Sequence, residues 1–143
     1  MDTQKTILVV DDDPKIIELL SEVLTMTGYT VITVNHPNLA AMKMENIDLV
    51  IMDLDLSGGT TFEGNKLLCQ LWADILFNTP IIIYSGYVDN EEEQLSLTKI
   101  TTVLGNGRNV FRCIQKGRSL KELLDAVKDC FKETELNEIM ASA

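Results

Sequence analysis

The side chains able to do chemistry in this sequence are Asp11, Asp12, Asp13, Asp53, Asp55, Ser85 and Lys116. Three of the aspartates follow the apolar run Ile7–Val10, and Asp53 follows Leu49–Met52. Ser85 follows Ile81–Tyr84, and Lys116 lies just past Val110–Ile114. Carboxylates crowded together repel one another and stay ionised only where a cation offsets the repulsion. A ligand set made of oxygens favours a hard ion, so Mg2+ is the expected occupant. No histidine or cysteine lies near these aspartates in the sequence, which argues against zinc. Mg2+ keeps several waters and takes one or two carboxylates plus a phosphate oxygen. A carboxylate beside it can act as a nucleophile toward phosphorus. A lysine and a hydroxyl from neighbouring strands can then neutralise and hydrogen-bond the transferred oxygens.

Such a site needs elements that bring distant residues to one edge. Ile7–Val10 is apolar throughout and reads as a strand buried on both faces. Asp13 then caps a helix that Pro14 opens, and Ile16, Ile17, Leu20, Val23 and Leu24 share one helical face. As a cap, Asp13 needs no further role. Gly28 stops that helix. The β-branched run Thr30–Val34 is a second strand, and a short helix is expected over Pro37–Glu45. Leu49–Met52 is a third buried strand, running into Asp53. Ser57–Thr61 is a loop, followed by a helix with Leu67, Leu68, Leu71, Trp72 and Ile75 that ends before Pro80. Ile81–Tyr84 is the fourth strand and Val110–Ile114 the fifth. Between them, residues 89–107 mix helical spacing with threonines and a Gly-Asn-Gly turn. Ser119–Glu122 has the form of a capping box, and Leu120, Leu123, Leu124, Val127 and Phe131 line one face of the last helix. From about Glu133 the chain is expected to fray.

The tally is five strands alternating with helices, the pattern of a parallel sheet covered on both faces. In open sheets of this class, ligands bind at the carboxyl ends of the strands. Every residue of the opening set follows a strand end, apart from Asp55, which lies two beyond Asp53.

The bulk composition is compatible with this reading. The chain has 143 residues, enough for one domain with a real core and little more. We expect a single domain over residues 1–143, with its core at about 5–132 and a tail or linker start at 133–143. The net charge of -10 argues against direct nucleic-acid binding, and most of the excess acid is expected on solvated surface. The odd cysteine count (Cys69, Cys113, Cys130) and the absence of CxxC point to neither a disulfide framework nor a zinc site. No apolar stretch reads as a signal sequence or membrane span, so a cytoplasmic location is expected. His36, beside Pro37, reads as ordinary surface.

The runs ILVVDDDP, DLVIMDLDLSG, IIIYSG and CIQKG, in that order, resemble the four blocks of bacterial two-component response-regulator receiver domains. The resemblance spans about residues 5–132. It implies a flavodoxin-like (βα)5 fold with strand order 2-1-3-4-5. It implies that Asp53 is the phosphoacceptor, that Asp11 and Asp12 are the acidic pair at the Mg2+ site, and that Asp55 lends the metal its backbone carbonyl. Ser85 would contact the phosphoryl group, Gly86 is the small residue beside it, and Lys116 pairs with the acceptor and then with the phosphoryl group. The donor would be a histidine kinase or a histidine phosphotransfer protein, and the signal would pass to a downstream protein partner. Phosphorylation-dependent dimerisation stays open. Activity beyond self-phosphorylation and autodephosphorylation is not expected.

The sequence departs from the family pattern in several places. Gly117 stands where proline usually follows the lysine. A cis bond there would cost roughly 2.5–4 kcal/mol, so a trans bond and a different aim for Lys116 are expected. Ser57 replaces a common proline, and Cys113 stands where a switching aromatic often lies. Cys113 is expected to be an inert core residue. The stretch 86–115 is long for the family and falls on a face that many receivers use for partners. Two other readings stay open at this stage. A pseudo-receiver would bind a partner without phosphorylation. A haloacid-dehalogenase-type phosphohydrolase would use Asp53 as nucleophile and Asp55 as general acid, although its further acidic pair normally follows the lysine.

Overall fold

A computed structural model of the chain describes residues 4–35, 46–53, 79–85, 110–117 and 119–142, with Ser85, Val110 and Cys113 described by backbone alone. The sequence-predicted helices over Pro37–Glu45 and around Leu67–Ile75, the loop Ser57–Thr61, residues 89–107, Asp55, Gly86, His36 and Cys69 lie outside them. The described elements are β1 (Thr6–Val10), α1 (Pro14–Met26), β2 (Thr30–Val34), β3 (Leu49–Met52), β4 (Ile81–Ser85), β5 (Val110–Gln115) and α2 (Leu120–Ser142).

The strands form one parallel sheet in the order β2-β1-β3-β4-β5. Residues on both faces of the central strands are buried: Ile7 and Val9 on one, Leu8 and Val10 on the other. That explains why these strands are apolar without alternation. On one face, Ile7, Val9, Ile51 and Ile82 pack with Leu20 and Leu24 of α1 and with Leu123, Val127 and Phe131 of α2. Each such side chain contributes about 1.5–3 kcal/mol by leaving water.

α1 starts and stops as its sequence dictates. The Asp13 carboxylate accepts the Lys15 backbone N–H at 2.9 Å, and Pro14 occupies the first helical position. At the far end, Gly28 has φ +107° and the Tyr29 N–H returns to the Leu24 carbonyl at 3.1 Å. α2 differs from expectation at both ends. The Ser119 hydroxyl accepts the Lys121 N–H at 3.2 Å, one residue short of the capping-box partner Glu122. The helix also continues to Ser142 instead of fraying after Glu133. Residues 133–142 contain neither glycine nor proline and are rich in Glu, Leu, Met and Ala, which favour helix even where the face toward the sheet is lost.

Register sets the geometry of the sheet's carboxyl edge. Val10 pairs with both Val34 and Met52, so Asp11 and Asp53 emerge side by side. Their own N–H groups extend the ladders: Asp11 donates to the Val34 carbonyl at 3.2 Å, and Asp53 donates to that of Val10 at 2.9 Å. β5 carries a bulge opposite Ile81/Ile82, beyond which Ser85 pairs with Gln115. Lys116 therefore follows the strand residue level with Ser85. No helix among the described residues is long and apolar enough to cross a membrane.

Candidate functional site

At this edge, Asp11 and Asp53 are the buried charged residues among those described, with exposures of 2% and 4%. Two buried carboxylates side by side require a counter-charge. Lys116 supplies it. Its Nζ lies 2.7 Å from Asp11 Oδ2 and 2.8 Å from Asp53 Oδ2. The second oxygen of Asp11, Oδ1, accepts the Asp13 backbone N–H at 2.9 Å. The turn that caps α1 therefore also orients Asp11.

These contacts explain the local electrostatics. Burial raises the Asp11 carboxyl above its ordinary value, and the hydrogen bonds from Lys116 and Asp13 only partly offset this. Burial alone would lower the Lys116 ammonium, but its bonds to Asp11 and Asp53 outweigh it and hold Lys116 above the usual lysine value. Tyr84, buried next to this edge, has its phenol raised by burial, with Lys116 pulling the other way.

Asp11, Asp12 and Asp53 each present a carboxylate oxygen, and these oxygens lie within 4.8 Å of one another. Oxygen donors at that spacing fit a hard divalent cation, with waters completing its shell. The set also pairs a candidate nucleophile, Asp53, with a cation that can neutralise incoming oxygens, Lys116.

The structure thus brings together Asp11, Asp12, Asp53 and Lys116 from the sequence-predicted set. Ser85 occupies the end of β4 beside Gln115. Asp13 is placed as a helix cap. Gly117 has φ +86°, and the described residues contain no cis peptide bond, as the Lys116–Gly117 pair led us to expect. With a trans bond to Gly117, Lys116 still reaches Asp53. Two features escaped the sequence reading: the Lys116 bond to Asp11 and the proximity of Tyr84. A tyrosine closing a buried strand one residue before Ser85 was the available signal for the second.

Comparisons with known proteins agree with the geometry. Residues 7–128 match the family model described as response regulator receiver domain. A putative two-component response regulator of Arabidopsis thaliana is 33% identical over 94 residues, which is 63% of this chain and 15% of that protein. The CAI-1 autoinducer sensor kinase/phosphatase of Vibrio cholerae is 34% identical over 98 residues, 67% of this chain and 14% of that protein. The chain therefore spans a small part of the length of these curated relatives. Among solved structures, a receiver domain protein (CheY-like) from Methanospirillum hungatei superposes with a TM-score of 0.73 at 22% identity, covering 94% of this chain and 99% of that one. NtrX from Brucella abortus gives 0.74 at 21% identity, covering 97% of this chain and 30% of that one. The strand order, the acidic pocket closed by a lysine and the family match together show that the chain belongs to the response regulator receiver domain family of two-component systems.

Proposed function

We propose that this receiver accepts a phosphoryl group on Asp53, in the presence of Mg2+, from a phosphohistidine donor on a histidine kinase or phosphotransfer protein. The single observation that carries this reading is the Lys116 ammonium, set between the buried carboxylates of Asp11 and Asp53 at 2.7 and 2.8 Å. A buried aspartate beside a fixed cation, at the carboxyl edge of a parallel sheet, is what an in-line attack on phosphorus requires. An Asp53 carboxylate oxygen attacks phosphorus, and a P–O bond forms as the P–N bond to the donor breaks. Lys116 neutralises charge on the phosphoryl oxygens, and Ser85, at the end of β4, donates a hydrogen bond to one of them. When bound to Asp11, Asp12 and Asp53, with the Asp55 carbonyl, Mg2+ supplies charge stabilisation on the transferred group. Asp13 stays a cap.

The output passes to a protein partner in the cytoplasm, and the chain's own chemistry is confined to gaining and losing the phosphoryl group. The charge of -10 opposes direct contact with nucleic acid. Membership of the receiver family weighs against the phosphohydrolase reading of the Asp53-Leu54-Asp55 run.

Beryllofluoride, which mimics an aspartyl phosphate, tests this reading by calorimetric titration with and without Mg2+. Saturable binding that needs Mg2+ and disappears in Asp53→Asn is expected. No binding at saturating Mg2+ would overturn the reading and favour a partner-binding module that is never phosphorylated.

A further inference from the structure

We propose that the open edge of β2, together with the groove beside it, docks a basic segment of a partner protein in extended conformation. The site is separate from the acidic pocket and does not depend on the reading of Asp53.

β2 is an outer strand of the sheet. The Thr30 N–H donates to the Lys5 carbonyl at 2.9 Å, and the Val34 carbonyl accepts the Asp11 N–H at 3.2 Å. In a parallel strand each residue turns both backbone groups to one side, and the next residue turns them to the other. Thr30, Ile32 and Val34 therefore bond toward β1. Val31 and Thr33 point their N–H and C=O groups outward, where no described strand pairs with them. The strand reads Thr-Val-Ile-Thr-Val, with neither a charge nor a proline to guard the edge against strand addition.

A groove of about 540 Å3 lies between Thr33 and the flank of α1. Ile17 and Met26 supply apolar wall, and the exposed Glu18 and Glu22 stand one helical turn apart on its rim. Like charges at that spacing repel each other. Among the described residues neither carboxylate has an ion-pair partner. A strand added at β2 sets alternate side chains on the α1 side, over this groove. A lysine there can lay its methylene stem along the apolar wall and bring its ammonium to the two carboxylates. Charge selects the occupant. A second copy pairing β2 with β2 would bring two acidic rims together on chains of net charge -10, whereas a basic strand relieves the repulsion.

The test is calorimetric titration, at fixed ionic strength, with a short end-capped peptide that alternates lysine and valine. Wild type, Thr33→Pro and the double variant Glu18→Gln/Glu22→Gln are compared, with circular dichroism to verify folding. The Thr33 N–H points outward, so proline there removes no bond to β1. Saturable binding to the wild type is expected, weakened more than about tenfold by Thr33→Pro and about three- to tenfold by the double variant. If Thr33→Pro fails to fold, the double variant, altered at exposed positions, decides alone. Equal binding by all folded chains places the peptide elsewhere on the acidic surface and overturns the proposal, as does no binding to the wild type. Sedimentation of the wild type alone is expected to show a monomer. A dimer that Thr33→Pro dissociates would assign the edge to a second copy and overturn the choice of a basic partner.

Discussion

Replacing Lys116 by methionine removes a cation that bridges Asp11 and Asp53 and should destabilise the metal-free fold. The carboxylates are 2% and 4% exposed, and Lys116 itself is 19% exposed. Breaking a fully buried ion pair costs about 3–5 kcal/mol, because a charge is left behind in a poor solvent. The residual exposure of Lys116 lets water take over part of its role, so a loss of about 2–4 kcal/mol is the working figure for pH 8. The pH dependence has a definite sign. Asp11 is already held above its ordinary value by burial, with Lys116 opposing that rise. Without Lys116, Asp11 protonates more readily in the folded state, and a protonated carboxyl needs no counter-charge. The loss should therefore shrink as pH falls from 8 toward 5. Urea unfolding of both proteins in chelator, at the two pH values, reads this directly. A loss under about 0.5 kcal/mol at pH 8, or one equal at both pH values, would refute the claim that Lys116 acts as counter-charge to buried carboxylates.

Three further outcomes follow from other parts of the molecule. Gly117→Ala should cost about 1 kcal/mol in urea unfolding, because φ is +86° while nothing lies within 4 Å of the added Cβ; no loss would mean the left-handed turn is dispensable. Asp13→Ala should cost about 1 kcal/mol through the lost cap yet leave Mg2+ titration unchanged, since only the Asp13 backbone touches Asp11; weakened metal binding would make Asp13 a ligand. The buried Cys130 thiol is pushed up to about 11, chiefly by burial. The folded chain then keeps a proton that the unfolded chain gives up near pH 9, so stability should fall between about pH 9 and 11 by roughly 2–3 kcal/mol on this account. In Cys130→Ala that slope should flatten, and an unchanged slope would count against the thiol as its source.

The sheet was legible because its central strands are apolar on both faces and end in residues of a different kind. Ile7–Val10 into Asp11, Leu49–Met52 into Asp53 and Ile81–Tyr84 into Ser85 each mark a strand and its carboxyl end at once. Resemblance to the receiver family supplied the strand order, which the pattern of apolar runs leaves open. The Lys116 geometry was only half legible. Sequence identifies a lysine at the right strand end but says nothing of how a flexible four-carbon stem resolves two nearby carboxylates. The continuation of α2 to Ser142 was missed because attention fell on the loss of the apolar face at Glu133, whereas backbone propensity alone carries the helix on. The bulge opposite Ile81/Ile82 arises from pairing between strands far apart in the chain, which no local pattern announces.

Phosphorylation of Asp53 itself is the most direct test. The wild-type chain is incubated with acetyl phosphate and Mg2+, trapped by reduction with borohydride, and mapped by peptide mass spectrometry. One modified aspartate, Asp53, is expected, with labelling abolished by chelation of the metal and by Asp53→Asn. Labelling that persists in Asp53→Asn, or maps to another carboxylate in the wild type, would contradict the assignment of Asp53 as the acceptor.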